Sequence, residues 1–249
     1  MSARALTCIL VSRGLDGLLA VCTAHLETAL AVAGVAEDSE VVIVDNASPT
    51  PYREAVWSKP GRRLIRLDRH HAFASANNLA ARRYPNPYLL LLNNDVLLHR
   101  ETLSGMLDLM EADPRIGICG ARLLFPDGSL QHGGVVFGAG RRGPYHLDRC
   151  RPADLVPMQD REFQAVTGAC LMVRHALWSA LGGLDEDYAF GLEDVDLCLR
   201  ARGLGWRVWC YHGADSLHFE SMTPGRVRLD VGSRRLFMQR WQGRYSIDG

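Results

Sequence analysis

Residues Tyr88 to Leu92 are apolar without a break, and Asn93-Asn94-Asp95 follows at once. A run this short suits a strand better than a helix, and a strand lacking polar alternation must be covered on both faces. That points to a sheet sandwiched between helices. Residues 40–44 repeat the pattern and stop abruptly at Asp45, residues 7–12 form another buried strand, and residues 64–67 a weaker one. Between them, Leu15, Leu18, Leu19, Cys22, Leu26, Ala29 and Leu30 recur at helical steps up to Gly34. Residues 74–83 read as a second helix ended by Pro85, and residues 101–112 as a third that closes before Pro114. Strands alternating with helices predict βαβ units: an α/β fold with a mostly parallel central sheet flanked by helices.

The chain has 249 residues, enough for one large domain, and its 28 basic residues balance 28 acidic ones, so its global field favours no nucleic acid. Seven cysteines are an odd number without a Cys-x-x-Cys pair, and Cys8, Cys119, Cys170 and Cys210 sit in apolar runs, which predicts reduced core thiols. The amino-terminal residues lack a long apolar stretch, and no window approaches a membrane span, so the expectation is a soluble, cytoplasmic protein.

The second half reads differently. Residues 116–125 and 130–137 flank Pro126-Asp127-Gly128, a hairpin signal, and residues 138–157 lack periodicity and read as a mobile loop. Order is expected again at 163–173, in a short helix at 176–181, in a helix from Glu193 and in a strand at 206–211. There is no internal repeat.

Open α/β sheets bind ligands beyond the carboxyl ends of their strands. Ser12, then Asp45-Asn46-Ala47-Ser48, then Asn93-Asn94-Asp95 all stand there. Asp45 suits either a turn cap or an acceptor for a base imide or amide, with Asn46 and Ser48 placed for a ribose or for holding the loop. Asp95 is a hard oxygen ligand of the kind that, with diphosphate oxygens, holds magnesium or manganese. Farther on, Gly191-Leu192-Glu193-Asp194-Val195-Asp196 opens a helix whose inward stripe is Val195, Cys198 and Leu199. Glu193 and Asp194 suit either the positive end of the helix dipole or general-base work on a hydroxyl. Asp196 and Arg200, four apart, predict a surface ion pair.

The segments VVIVDNAS, FASANNLAARR, LLLLNND, TGACLMVRHALWSALGGLDEDY, GLEDVDLCLRARGLGWRV and LHFES, in this order, resemble family 2 glycosyltransferases of the rhamnosyltransferase-like, polysaccharide-building branch. The resemblance covers roughly residues 5–245. It implies the glycosyltransferase A fold over a single domain, 1–249: a nucleotide-sugar-binding half to about 115, an acceptor and catalytic half to about 222 with a smaller mixed sheet, and a basic segment from 223. It also implies inverting transfer from a nucleotide-diphosphate sugar (UDP-, dTDP- or GDP-linked) to a saccharide or lipid-linked acceptor. By position, Asp45 matches the base-contacting acid, Asp95 the last acid of a metal-binding D-x-D motif and Asp194 the catalytic base, with Glu193 beside it. His218 matches a histidine that reaches the metal or the diphosphate, and Ser12, Asn46, Ser48, Asn77 and Asn94 complete the donor side.

Departures from the pattern carry consequences. Asn93 stands where the first acid of D-x-D is usual, leaving a divalent cation (Mg or Mn) chiefly to Asp95 and phosphate. Ser12-Arg13-Gly14 lacks the usual aromatic residue, and Ala72, preceded by His70 and His71, replaces a glycine. Two other classes compete: a non-catalytic nucleotide-sugar or glycan-binding protein, motivated by Asn93, and a sugar nucleotidyltransferase, for which Ser12-Arg13-Gly14-Leu15 is a poor phosphate loop. Gln131-His132-Gly133-Gly134 resembles a segment of this branch and is left unassigned. Arg226, Arg228, Arg234, Arg235, Arg240 and Arg244, with Phe237 and Trp241 one turn apart, form either a solvated face or a basic surface contacting a lipid diphosphate or the inner face of a membrane.

Overall fold

The computed structural model describes residues 4–139, 143–220 and 230–249. The strands are β1 (Leu6–Ser12), β2 (Glu40–Asp45), β3 (Arg62–Arg66), β4 (Tyr88–Leu92), β5 (Val96–Leu97), β6 (Ile116–Leu124), β7 (Leu130–His132), β8 (Val135–Gly138), β9 (Gly143–His146), β10 (Arg161–Phe163), β11 (Cys170–Arg174) and β12 (Arg207–His218). The helices are α1 (Asp16–Val32), α2 (Glu54–Trp57), α3 (Phe73–Arg83), α4 (Thr102–Ala112), α5 (His175–Leu181), α6 (Glu193–Gly203) and α7 (Asp230–Trp241).

The apolar run of β4 lies at the middle of the main sheet, whose order is β10-β12-β6-β11-β4-β1-β2-β3. Its residues alternate between two cores: Leu89 and Leu91 meet α3, α5 and α6, whereas Leu90 and Leu92 meet α1 and α4. Each buried leucine contributes about 1.5–3 kcal/mol, so a polar residue on either face would be costly. The half from β3 to β4 is parallel throughout. β11 then enters antiparallel to both β4 and β6, and β12 runs parallel to β6. This order brings the ends of β1, β2, β4 and β12 and the start of β11 to one edge of the sheet.

Several expectations change. Residues 138–157 are not wholly irregular: β9 pairs with β8 as a two-stranded antiparallel sheet, and a 3-10 turn spans Ala153–Leu155. The 3-10 turn is anchored by Arg122, 1 % exposed, which donates to the carbonyls of Ala153 (2.6 Å) and Val156 (3.1 Å) and pairs with Asp215 (2.9 Å). The hairpin is real for β6 and β7, but β8 leaves it after Gly134, whose φ of +120° and contact with the Phe163 ring admit no side chain. Residues 163–173 split into β10 and β11, and the strand expected at 206–211 runs on to His218.

All seven cysteines are unpaired and six are buried, Cys150 being exposed. Burial pushes the thiols of Cys22, Cys170 and Cys198 up to about 12, so they are inert packing groups. In α7, Phe237 is buried, and Arg240 donates to Asp185 and, at 2.8 Å, to Asp187. Arg240 is therefore committed to an ion pair rather than to a free basic face. Arg226 and Arg228 lie outside the described residues. Among the described residues, no helix is long and apolar enough to cross a membrane.

Candidate active site

The donor-side wall is built at the ends of β1, β2 and β3. Ser12 and Asp45 are register partners, as are Asp45 and Arg66. Asn94 Nδ2 donates to Ser12 Oγ at 2.8 Å, tying the end of β4 to that of β1. Ser48 Oγ accepts from Gly14 N (2.9 Å). Asn46 is closed on the His71 backbone, donating to its carbonyl (2.9 Å) and accepting from its amide (2.8 Å).

Asp45 has no exposed surface. Its Oδ1 accepts from Ser48 N (2.9 Å), and its Oδ2 from Tyr52 N (3.0 Å) and Arg66 NH1 (2.6 Å). Burial pushes its pKa up, but the hydrogen bonds from Ser48, Tyr52 and Arg66 outweigh it and leave the carboxyl below its ordinary value. The arrangement gives Asp45 the work of pinning the loop. The group that faces outward is the Arg66 side chain, 39 % exposed, whose NH2 also donates to the Ser48 carbonyl (3.1 Å). Asn77 is likewise enclosed: Nδ2 donates to the Phe73 carbonyl inside α3, and Oδ1 is buried without a hydrogen bond.

Asp95 and His218 meet beside the pairing of β5 with β12. Asp95 Oδ1 is buried, makes no hydrogen bond and lies 3.1 Å from His218 Nε2. Asn93 Nδ2 is 3.4 Å from the same nitrogen. A buried oxygen without a donor beside an imidazole nitrogen fits a hard divalent cation, for which one or two protein ligands suffice when phosphate and water supply the rest. Among the described residues no group of three or more His, Cys, Asp or Glu side chains is placed to hold a metal, so these two would be its protein share.

Asp194 enters the same edge from α6. Leu192, the residue before the helix, holds a left-handed φ of 73° after Gly191 at 76°, a costly conformation in a leucine that aims the first turn at the sheet. Asp194 Oδ2 accepts from Gly168 N at 2.7 Å, and the adjoining Ala169 carbonyl accepts from Asn93 N at 2.9 Å. Asp194 is thus linked to the D-x-D-like segment through two adjacent residues. It is half-buried, whereas Glu193 is 6 % exposed. Below the Thr167–Gly168 loop, His132 is fully buried, and burial holds its pKa well below the ordinary histidine value.

Asp196 is not at the surface. It is 1 % exposed and accepts from Trp241 Nε1 (2.8 Å), Tyr188 OH (3.2 Å) and Arg200 Nε (2.6 Å). The pairing with Arg200 was legible in the spacing. Its burial comes from α7 closing over it.

Two site residues had no part in the sequence reading. Arg66 ends β3 opposite Asp45, so a basic residue ending the strand beside an acidic one was the available signal. Tyr52, 5 % exposed, sets its hydroxyl 2.7 Å from Ser12 Oγ, on a loop whose path no local pattern gave.

The sequence model described as "Glycosyl transferase family 2" matches residues 24–175. The O-antigen biosynthesis protein RfbC of Myxococcus xanthus is 33 % identical over 194 residues, covering 74 % of this chain but only 15 % of RfbC. The N-acetylglucosaminyl-diphospho-decaprenol L-rhamnosyltransferase of Mycobacterium tuberculosis (strain CDC 1551 / Oshkosh) is 28 % identical over 234 residues, covering 81 % of this chain and 74 % of its own. Among solved structures, the mannosyltransferase PcManGT from Pyrobaculum calidifontis, in complex with GDP-Man and Mn2+, superposes with a TM-score of 0.63 at 16 % identity over 89 % of this chain and 58 % of that one. That likeness concerns the fold, which is glycosyltransferase A. With the family's sequence model spanning more than half of its length, the chain belongs to glycosyl transferase family 2.

Proposed function

We propose that this glycosyltransferase moves a sugar from a UDP-, dTDP- or GDP-linked donor to a hydroxyl of a growing glycan or lipid-linked saccharide, with inversion at the anomeric carbon. The observation that carries this reading is the linkage of Asp194 to Asn93 through Gly168 and Ala169, which sets a half-buried carboxylate beside the segment that holds Asp95. The relatives' names, O-antigen biosynthesis and rhamnosyl transfer to a diphospho-decaprenol acceptor, support the substrate class.

In this reading the loops around Ser12, Asn46, Ser48 and Asn94 receive the nucleoside, with Asp45 acting through Arg66. Asp95 and His218, with Asn93 beside them, would hold a magnesium or manganese ion, which when bound would supply electrostatic stabilisation of the departing diphosphate. Asp194 takes the proton of the acceptor hydroxyl as that oxygen bonds to the anomeric carbon. The carbon–oxygen bond to the diphosphate breaks on the opposite face, and its electrons leave with the diphosphate. Residues 1–249 act as one domain. Arg235 and Arg244, exposed near the carboxyl-terminal end, support peripheral contact with an anionic membrane surface on the cytoplasmic side.

The test is Asp194→Asn. Transfer should fall about 100-fold or more while donor binding persists, because general-base losses are of that size. Turnover within about tenfold of the parent would remove Asp194 from the role. A second reading, a nucleotide-sugar-binding protein without turnover, is favoured by Asn93 alone. It predicts donor binding with neither hydrolysis nor transfer when manganese and a broad acceptor panel are supplied.

A further inference from the structure

Gln131 belongs to the segment Gln131-His132-Gly133-Gly134, for which the chemistry above has no use. β7 buries it, 2 % exposed, where its amide meets His218. Gln131 Oε1 is 2.9 Å from His218 Nδ1, and Gln131 Nε2 is 2.7 Å from that nitrogen and 3.2 Å from Glu220 Oε2. Arg149 NH2 in turn donates to Glu220 Oε2 at 2.7 Å.

The direction of these bonds follows from the chemistry of the groups. Arg149 can only donate, and a Glu220 carboxylate can only accept. The Gln131 amide nitrogen carries two hydrogens and no available lone pair, so it donates to Glu220 and leaves Oε1 to accept. Turning the amide over would set Oε1 against Glu220, acceptor against acceptor. The second hydrogen of Nε2 reaches His218 Nδ1, and Oε1 accepts from that nitrogen when it carries a proton, so the amide holds the ring at Nδ1 in either tautomer. A cation taken up by Nε2, the nitrogen 3.1 Å from Asp95 Oδ1, would leave the proton on Nδ1 and Oε1 accepting from it.

We infer that Gln131 is a positioning residue: backed by Glu220 and Arg149, it holds the ring of His218 at Nδ1 and so presents Nε2, together with Asp95, to a divalent cation. The inference rests on the proposed reading of Asp95 and His218 as the cation's ligands. Partners of this kind behind a ligating histidine fix its tautomer and orientation, and their loss typically weakens metal binding about 10- to 100-fold.

Two measurements test it. Nitrogen-15 NMR of the wild-type protein saturated with Mg2+ reads the tautomer of His218 directly, and the Nδ1–H form is expected. Titration with Mn2+ alone, followed by the electron paramagnetic resonance of the free ion, should show Gln131→Met weakening binding about 10- to 100-fold with an unchanged far-ultraviolet circular dichroism spectrum. The double variant Gln131→Glu, Glu220→Gln exchanges the carboxylate and the amide while keeping an acceptor against Nδ1–H, and it should recover most of the affinity. An Nε2–H tautomer in the Mg2+-saturated wild type, or Mn2+ binding undiminished in Gln131→Met, overturns the inference. If Gln131→Met does not fold, the wild-type tautomer decides alone. Wild-type protein that binds no Mn2+, or an affinity unchanged by His218→Ala, instead overturns the cation reading itself and takes the inference with it.

Discussion

The backbone amide of Gly168 donates to Asp194 Oδ2 at 2.7 Å, and a Cβ built at Gly168 would stand 3.1 Å from the Asp194 Cβ. The glycine therefore sets how deeply the carboxylate enters the site. Gly168→Ala should push Asp194 aside by a few tenths of an ångström and lower kcat by about tenfold, since small misplacements of reacting groups carry penalties of that order. Donor affinity, measured by calorimetry, should change little. Unchanged kcat would mean that the position of Asp194 does not govern the chemical step.

Asp45 links stability to pH. Its folded-state carboxyl lies below the ordinary value, so the stabilisation from its bonds to Ser48, Tyr52 and Arg66 is present above the unfolded pKa of about 3.9 and is lost as pH falls through the folded value. Asp45→Asn should therefore be less stable than wild type at neutral pH. The difference, followed by denaturant unfolding, should shrink as the pH is lowered below about 4. A gap independent of pH would show that the ionised form is not what the structure stabilises.

Asp196 distinguishes a buried network from a surface pair. An exposed i,i+4 pair contributes about 0.3–0.5 kcal/mol, whereas breaking a buried one costs about 3–5 kcal/mol. Asp196→Ala removes the acceptor of Tyr188 and Trp241 and the carboxylate partner of Arg200, which keeps only the Leu181 and Gly183 carbonyls, so chemical denaturation should show a loss in the larger range. A loss below about 1 kcal/mol would contradict the burial.

How far these features were legible follows from the range of the interaction behind each. The apolar run of β4 required cover on both faces, and the alternation of Leu89 and Leu91 with Leu90 and Leu92 between two cores meets that demand. The same run carries no sign of strand direction, so the antiparallel entry of β11 lay beyond it. Strand-terminal Ser12, Asp45 and Asp95 were readable because parallel topology sends strand ends to one edge. The partners of Asp45 were not: Tyr52 and Arg66 come from separate elements, and without them its enclosure is invisible. The backbone at the site is also nonlocal in cause, because Leu15, Ala47 and Leu192 hold positive φ where sequence patterns favour glycine. Gln131 and His218 meet across 87 positions, a contact that no spacing rule reaches.

The most direct test of a single nucleotide-sugar pocket is a calorimetric titration with UDP-, dTDP- and GDP-sugars, with and without Mn2+, on wild type and Asp95→Ala. Binding to one donor that is strengthened by Mn2+ in wild type, with that strengthening lost in Asp95→Ala, is the predicted result. Donor binding that is indifferent both to Mn2+ and to the loss of Asp95 would contradict it.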